Sequence, residues 1–437
     1  MSRLLRLTPT KPLAATLVAL LTASAIAACS GALASPSSGP ATTATSGAGA
    51  TAAATPAGTA APTPTDTATP TPAGTLDPIA SLKAPPTPIP TLHHFSQPPQ
   101  IHFKFKSTGS MSVARWGHSA TLLTNGKVLV AGGSNYLSTT FYASAELWDP
   151  ATGKFSPTGS MAHGRAEHTA TRLDDGRVLI AGGYDLSGKL ASAELYNPAT
   201  GTFSPAATMV NARSGHTATW MSNGRILVAG GVGKYGPLSA AEVYNPVTNW
   251  FGPINAMPHD TAYHQAERLQ SGLVLVVGGS GSSLNPQAML YNAKTLTWST
   301  TGSLHQARTF HTATWMLNDR VLVAGGWDQV GHGLASAELY NPGTGSFSYT
   351  GSLVNARYYH TATLLKNGRV LVAGGVSTGE VWQAELYDSA TGKFSATESM
   401  IQTRIHHTAT LLSDGRVIFI GGWYWDWALD SAEIYTP

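Results

Sequence analysis

Seven pairs of adjacent glycines, each closing a short apolar run, recur through this 437-residue chain: Gly132-Gly133, Gly182-Gly183, Gly230-Gly231, Gly278-Gly279, Gly325-Gly326, Gly374-Gly375 and Gly421-Gly422. The intervals are 50, 48, 48, 47, 49 and 47 residues. Self-similarity at a fixed period outranks local signals, because each copy is one unit that buries its apolar face against the next. Each copy reads roughly M-x-x-x-R-x-x-H-T-A-T-L-L-x-N-G-R-V-L-V-A-G-G, then a loop of changing length, then S-A-E-L-Y-N-P-x-T-G-x-F-S-x-T-G-S.

The signals inside a copy are those of four short strands. Runs such as HTATLL and RVLVAGG flank Asn-Gly or Asp-Gly in most copies, and AELY and xFSxT flank an Asn-Pro-x-Thr-Gly turn, both hairpin patterns. Four strands repeated seven times predict an all-β fold, a seven-bladed β-propeller. The double glycine after an apolar strand, the Glu-x-Tyr-Asn-Pro element and the fourth-strand aromatic resemble the kelch family over Ile101 to Pro437. That resemblance implies the fold and says little about activity. The chain departs from the family in using mostly Phe in the fourth strand, with Trp298 the exception.

The seventh copy ends at Pro437 without a fourth strand. Phe155, Phe203, Phe251, Trp298, Phe347 and Phe394 each lie six residues before the Met or Leu that opens the next copy, and Phe105 lies six before Met111. The segment HFKFKSTGSM is therefore expected to complete the last blade, removing the open edge that an unclosed ring would expose. Because strands alternate in direction, the tight turns (first to second strand, third to fourth) should share one face. The variable loops between second and third strands should share the other, away from the point where the chain enters.

Upstream of the repeats, Arg3, Arg6 and Lys11 precede an apolar stretch of about sixteen residues and then small residues, a pattern read as a secretion signal over residues 1–28. Ile26-Ala27-Ala28-Cys29 resembles the lipobox of bacterial lipoproteins, which implies cleavage before Cys29 and a lipid on its sulfur. Residues 29–100, rich in Ala, Thr and Pro, lack the apolar surface needed to offset ordering and are expected to be a disordered tether. The expected location is extracytoplasmic, with the membrane touched only through that lipid, or secreted without it. Cys29 is the only cysteine, so no intrachain disulfide framework exists. A formal charge of +3 and no Lys/Arg cluster in the repeats offer no footprint for nucleic acid.

Three constellations stand out. Arg115, Arg165, Arg213, Arg308, Arg357 and Arg404 open the first strands, and Glu146, Glu194, Glu242, Glu338, Glu385 and Glu433 sit in the third. The fourth copy has Thr261 and Met289 instead; both partners vanish together, which predicts direct ion pairs within or between blades. Nearby Asp260, Glu267 and Arg268 could supply another pairing there. Seven in-phase histidines, His118, His168, His216, His264, His311, His360 and His407, are expected to make structural hydrogen bonds, since blades share that position and hold it too far apart to ligate one ion. The irregular His259, His305, His332 and His406 are candidates to face a ligand. Finally, the variable loops carry Tyr136, Tyr142, Tyr184, Tyr235, Trp327, Asp328, Trp382, Trp423, Trp425, Asp426 and Trp427, aromatics and acids suited to sugar rings or a protein contact.

The expected function is accordingly a membrane-tethered recognition module binding a protein or glycan through its variable loops. A propeller enzyme acting on sugars, such as a mutarotase or epimerase, is the alternative, and a structural spacer the third. The copper-radical oxidases with kelch propellers need a Cys cross-linked to a Tyr, and residues 101–437 hold no Cys. No catalytic residue, cofactor or metal ligand is assigned, because no phosphate loop, nucleophile motif or metal-spaced Cys/His set occurs.

Overall fold

A computed structural model describes residues 104–437, Tyr136 and Gln329 excepted. Residues 1–103, with the expected signal, the Cys29 lipid site and the tether, lie outside the described residues, as does Tyr136. The described chain forms seven four-stranded antiparallel sheets. In blade 1 these are Ser119–Leu122, Val128–Ala131, Ala145–Asp149 and Lys154–Pro157. The first strands of consecutive blades touch one another in a closed circuit, including the seventh with the first, so they surround a central axis. The N-terminal Phe105–Ser107 pairs with Ala432–Tyr435, with Phe105 opposite Tyr435, and is the fourth strand of blade 7.

Why these residues make blades follows from their burial. The second strand, Val128–Ala131 and its six equivalents, is buried at all four positions, because it lies between two strands and has a neighbouring blade against each face. Seven apolar clusters fill the seven blade interfaces. One joins Leu227, Ala229 and Val243 of blade 3 to Val274, Val276 and Tyr291 of blade 4, and the last joins Val128, Val130 and Trp148 of blade 1 to Ile418, Ile420 and Ala432 of blade 7. The double glycines sit where blades approach most closely. A Cβ on Gly182 would meet the carbonyl oxygen of Arg213 at 2.6 Å and the ring of His216 at 2.7 Å, both from the next blade.

Each of the six repeated arginines is fully buried and clamps its own blade. Arg165 donates from Nη1 to the carbonyls of Gly182 (2.8 Å) and Ser192 (2.9 Å) and from Nη2 to Glu194 (3.0 Å). Glu194 also accepts from the backbone N–H of Ala162 at 2.8 Å, so the carboxylate ties the third strand to the segment entering the first. The same ion pair joins Arg115–Glu146, Arg213–Glu242, Arg308–Glu338, Arg357–Glu385 and Arg404–Glu433 at 2.5–3.1 Å. All six pairs lie within one blade. In blade 4 no charged pair takes its place. The Thr261 hydroxyl donates to the Gly278 carbonyl at 3.0 Å, His259 Nε2 reaches the Gln287 carbonyl at 3.1 Å, and Met289 fills the apolar remainder. Asp260 instead caps Ser282, and Arg268 is exposed, so the alternative pairing among Asp260, Glu267 and Arg268 is not formed.

Six of the seven histidines stitch blade to blade. Nε2 of His118, His168, His216, His264, His360 and His407 meets a Ser or Thr hydroxyl of the preceding blade at 2.9–3.2 Å. His311 has no such partner, because blade 4 presents Gln265 where the others present a hydroxyl. Burial, aided by the neighbouring arginines, lowers the imidazole pKa of His118, His168 and His311 to about 3 and keeps these rings neutral.

Candidate functional site

The loops between second and third strands gather at one end of the axis, and the first strands begin there. In every blade a bridge links the residue immediately after the arginine position to the residue after the double glycine, as in Trp116 with Ser134 and Ile405 with Trp423. The next residue in each copy, just before the repeated histidine, is Gly117, Glu167, Gly215, Tyr263, Phe310, Tyr359 or His406. All seven have φ between 50° and 62°, the left-handed region. For the five that are not glycine this costs roughly 1–2 kcal/mol each, a strain the ring around them must hold.

What holds it is a belt of backbone hydrogen bonds across blade junctions. Glu167 donates its N–H to Gly117, Gly215 to Glu167, Tyr263 to Gly215, Tyr359 to Phe310 and Gly117 to His406. The side chains then close over the axis. Ring centroids step from Tyr263 to Phe310 (4.9 Å), to Tyr359 (4.2 Å), to His406 (3.8 Å) and to Trp116 (5.1 Å). Glu167 completes the circuit, accepting from the Tyr263 hydroxyl at 3.3 Å. Burial raises its carboxyl pKa, and nearby Lys189 counters that rise. Burial also lowers the His406 imidazole to about 4 and raises the Tyr359 phenol. The axis thus ends in an aromatic plug with one acid and one neutral imidazole in it.

The loop residues expected from the sequence divide into three groups around this plug. Trp327 and Trp423 belong to it: Trp423 is buried 6.2 Å from Trp116, and Trp327 lies 6.5 Å from Phe310 and 6.2 Å from Tyr358. Tyr142 and Tyr184 serve the frame. Tyr142 faces the Arg115 guanidinium at 5.3 Å, while Tyr184 stacks edge-on against Phe141 and carries Lys189 over its ring at 4.5 Å. Tyr235, Trp382, Trp425 and Trp427 point outward and are 87%, 55%, 45% and 71% exposed. Asp328 caps its own loop by accepting from Val330 and His332, and Asp426 is exposed beside the tryptophans. Glu380 of the blade 6 loop accepts from the Trp425 N–H at 3.1 Å and from Thr403 at 3.1 Å, which ties the loops carrying Trp382 and Trp425 together.

Among the irregular histidines only His406 enters the plug. His259 holds blade 4, His305 donates to Glu338 at 2.8 Å and stacks on Tyr349, and His332 lies 3.8 Å from Asp328. Sequence reading missed Glu167, Tyr263, Phe310 and Tyr359. The signal was the pair of variable positions between the repeated arginine and the repeated histidine.

Comparison with known proteins places this architecture. The profile described as "Kelch motif" matches residues 115–162 and 168–210, the first two blades. Residues 105–437 form a kelch-repeat β-propeller. No curated protein matches the sequence. Among solved structures, the kelch propeller is similar to a fungal alcohol oxidase of the AA5 family in complex with copper, at 17% identity and TM-score 0.61, covering 76% of this chain and 75% of that one. It is also similar to YjhT, at 16% identity and TM-score 0.52, covering 66% of this chain and 99% of that one. At these identities the likeness is one of fold. Copper chemistry of that oxidase is not carried over, since the propeller sequence has no Cys and no three His, Cys, Asp or Glu side chains gather among the described residues.

Proposed function

We propose that this kelch propeller is a non-catalytic recognition module that holds an extended glycan or protein surface against its loop face. The observation that carries the reading is the joining of a plugged axis to exposed indoles. The plug leaves the mouth filled by rings, while Trp382, Trp425 and Trp427 stand out from loops tied together through Glu380. Exposed indoles offer flat faces on which sugar C–H groups stack, and aromatic anchors are also what protein contacts favour. The signal-like pattern over residues 1–28 supports display outside the cytoplasm on a lipid at Cys29. A glycan array probed with the purified protein, followed by Trp382→Ala, Trp425→Ala and Trp427→Ala, tests this. Each substitution should weaken binding about tenfold, a loss of roughly 1.4 kcal/mol. Binding indifferent to all three refutes the site. A Cys29→Ser protein that still partitions with membranes refutes the anchor.

One observation favours a second reading, an enzyme acting on sugars. Glu167, whose carboxyl pKa is raised by burial, lies at the axial mouth beside the Tyr263 hydroxyl, an acid–base group of the kind sugar anomerisation needs. Sugar anomerisation followed by NMR exchange would support it if accelerated by the wild type and not by Glu167→Gln.

A further inference from the structure

The other end of the axis differs from the loop face in kind. A cavity of about 800 Å³ opens there among the first-to-second-strand turns of blades 1–3, reaching Arg268 of blade 4. That volume suits a small molecule. Its variable side chains come from the fourth residue after each repeated histidine, which reads Leu122, Arg172, Trp220, Arg268, Trp315, Leu364 and Leu411 around the ring. The departures from leucine are consecutive, in blades 2 to 5, and three of them line the cavity. Arg172 is braced by donating from Nη1 to the Leu122 carbonyl at 3.0 Å, and Trp220 is braced by donating from Nε1 to the Arg172 carbonyl at 2.8 Å. The Arg268 guanidinium is exposed and makes no hydrogen bond or ion pair among the described residues. Asp174 is the one acid in the lining, so the two arginines leave the cavity net cationic.

We propose that this cavity binds a small anion carried on a sugar ring, with the Trp220 indole stacking the ring and Arg172 and Arg268 holding its carboxylate or phosphate. A guanidinium fork matches either oxyanion in two-point hydrogen bonds, and an indole between two such forks matches a ring that bears the charge at its edge. The site is independent of the loop face, since it lies at the opposite end of the first strands.

Calorimetric titration of the full chain with galacturonate, galactose 6-phosphate, galactose and inorganic phosphate tests the proposal. The expected result is binding of at least one acidic sugar, weakened about tenfold by Arg268→Gln and by Arg172→Gln, with no detectable binding of galactose. Which acidic sugar binds distinguishes carboxylate from phosphate recognition. Both arginines are exposed, so their variants should melt with the wild type, and that control separates lost contacts from lost folding. The proposal is overturned if neither acidic sugar binds at about 10 mM, where even a weak site would respond. It is equally overturned if the double arginine variant binds unchanged, or if inorganic phosphate alone binds as well as the sugars.

Discussion

Single residues show how the repeat tolerates change. The buried third-strand tyrosines each sit against a fourth-strand aromatic of their own blade, as Tyr196 does against Phe203 at 4.9 Å. Their hydroxyls need a partner, and Thr158 of the preceding blade supplies one to Tyr196 at 2.9 Å. Tyr291 has none, because the corresponding residue is Ile254, and its hydroxyl is buried without a hydrogen bond. Tyr196→Phe should therefore cost about 1 kcal/mol, and Tyr291→Phe should cost nothing or stabilise slightly. Urea unfolding of the two variants checks this; equal losses would mean that Tyr291 is satisfied in solution. The same logic explains why the arginine and glutamate vanish together in blade 4. Losing one alone would strand a buried charge at roughly 3–5 kcal/mol.

Among the elements, the blade is a sheet whose second strand is buried on both faces and whose first strand hydrogen-bonds its neighbour through histidine. At the seam between blades 4 and 5 that bond is missing. Gln265→Thr should give His311 its hydroxyl and raise stability by about 1 kcal/mol, read as a higher denaturant midpoint with unchanged slope. An unchanged or lowered midpoint would deny that the hydroxyl is what the seam lacks. The blades were legible in the sequence because the determinants are local: Asn-Gly turns, an apolar second strand, and an aromatic six residues from the next copy. Closure was legible too, since Phe105 keeps that spacing. The blade 4 repair was not, because Thr261 and His259 bond to carbonyls of Gly278 and Gln287, and a backbone carbonyl leaves no mark on residue identity. The axial plug escaped for a related reason. Its members share a position and a left-handed φ but no chemistry, and what unites Glu167, Tyr263, Phe310, Tyr359 and His406 is the ring they close.

At the scale of the whole molecule, the histidine seams make the propeller acid-sensitive. Several of these imidazoles have folded pKa values of about 3 against an ordinary 6.5, so the unfolded chain binds more protons between those limits. The histidine contribution to stability is full above about pH 6.5 and falls as pH drops toward 3, by about 1.4 kcal/mol per unit for each such ring. Glu267 acts with the opposite sign: burial raises its carboxyl to about 7, so its contribution is present at low pH and lost as pH rises through 7. Thermal melts between pH 7.5 and 4 should show a steep decline, and a flat profile would contradict neutral buried histidines.

The ring has two unlike ends, an aromatic loop face and a cationic cavity among the tight turns, and the functional account stands on the first. Hydrogen–deuterium exchange with and without a glycan selected on the array locates the contact directly. The account predicts slowed exchange over residues 380–382 and 423–428. Slowing confined to residues 122–124, 172–174 and 220–224 would contradict it.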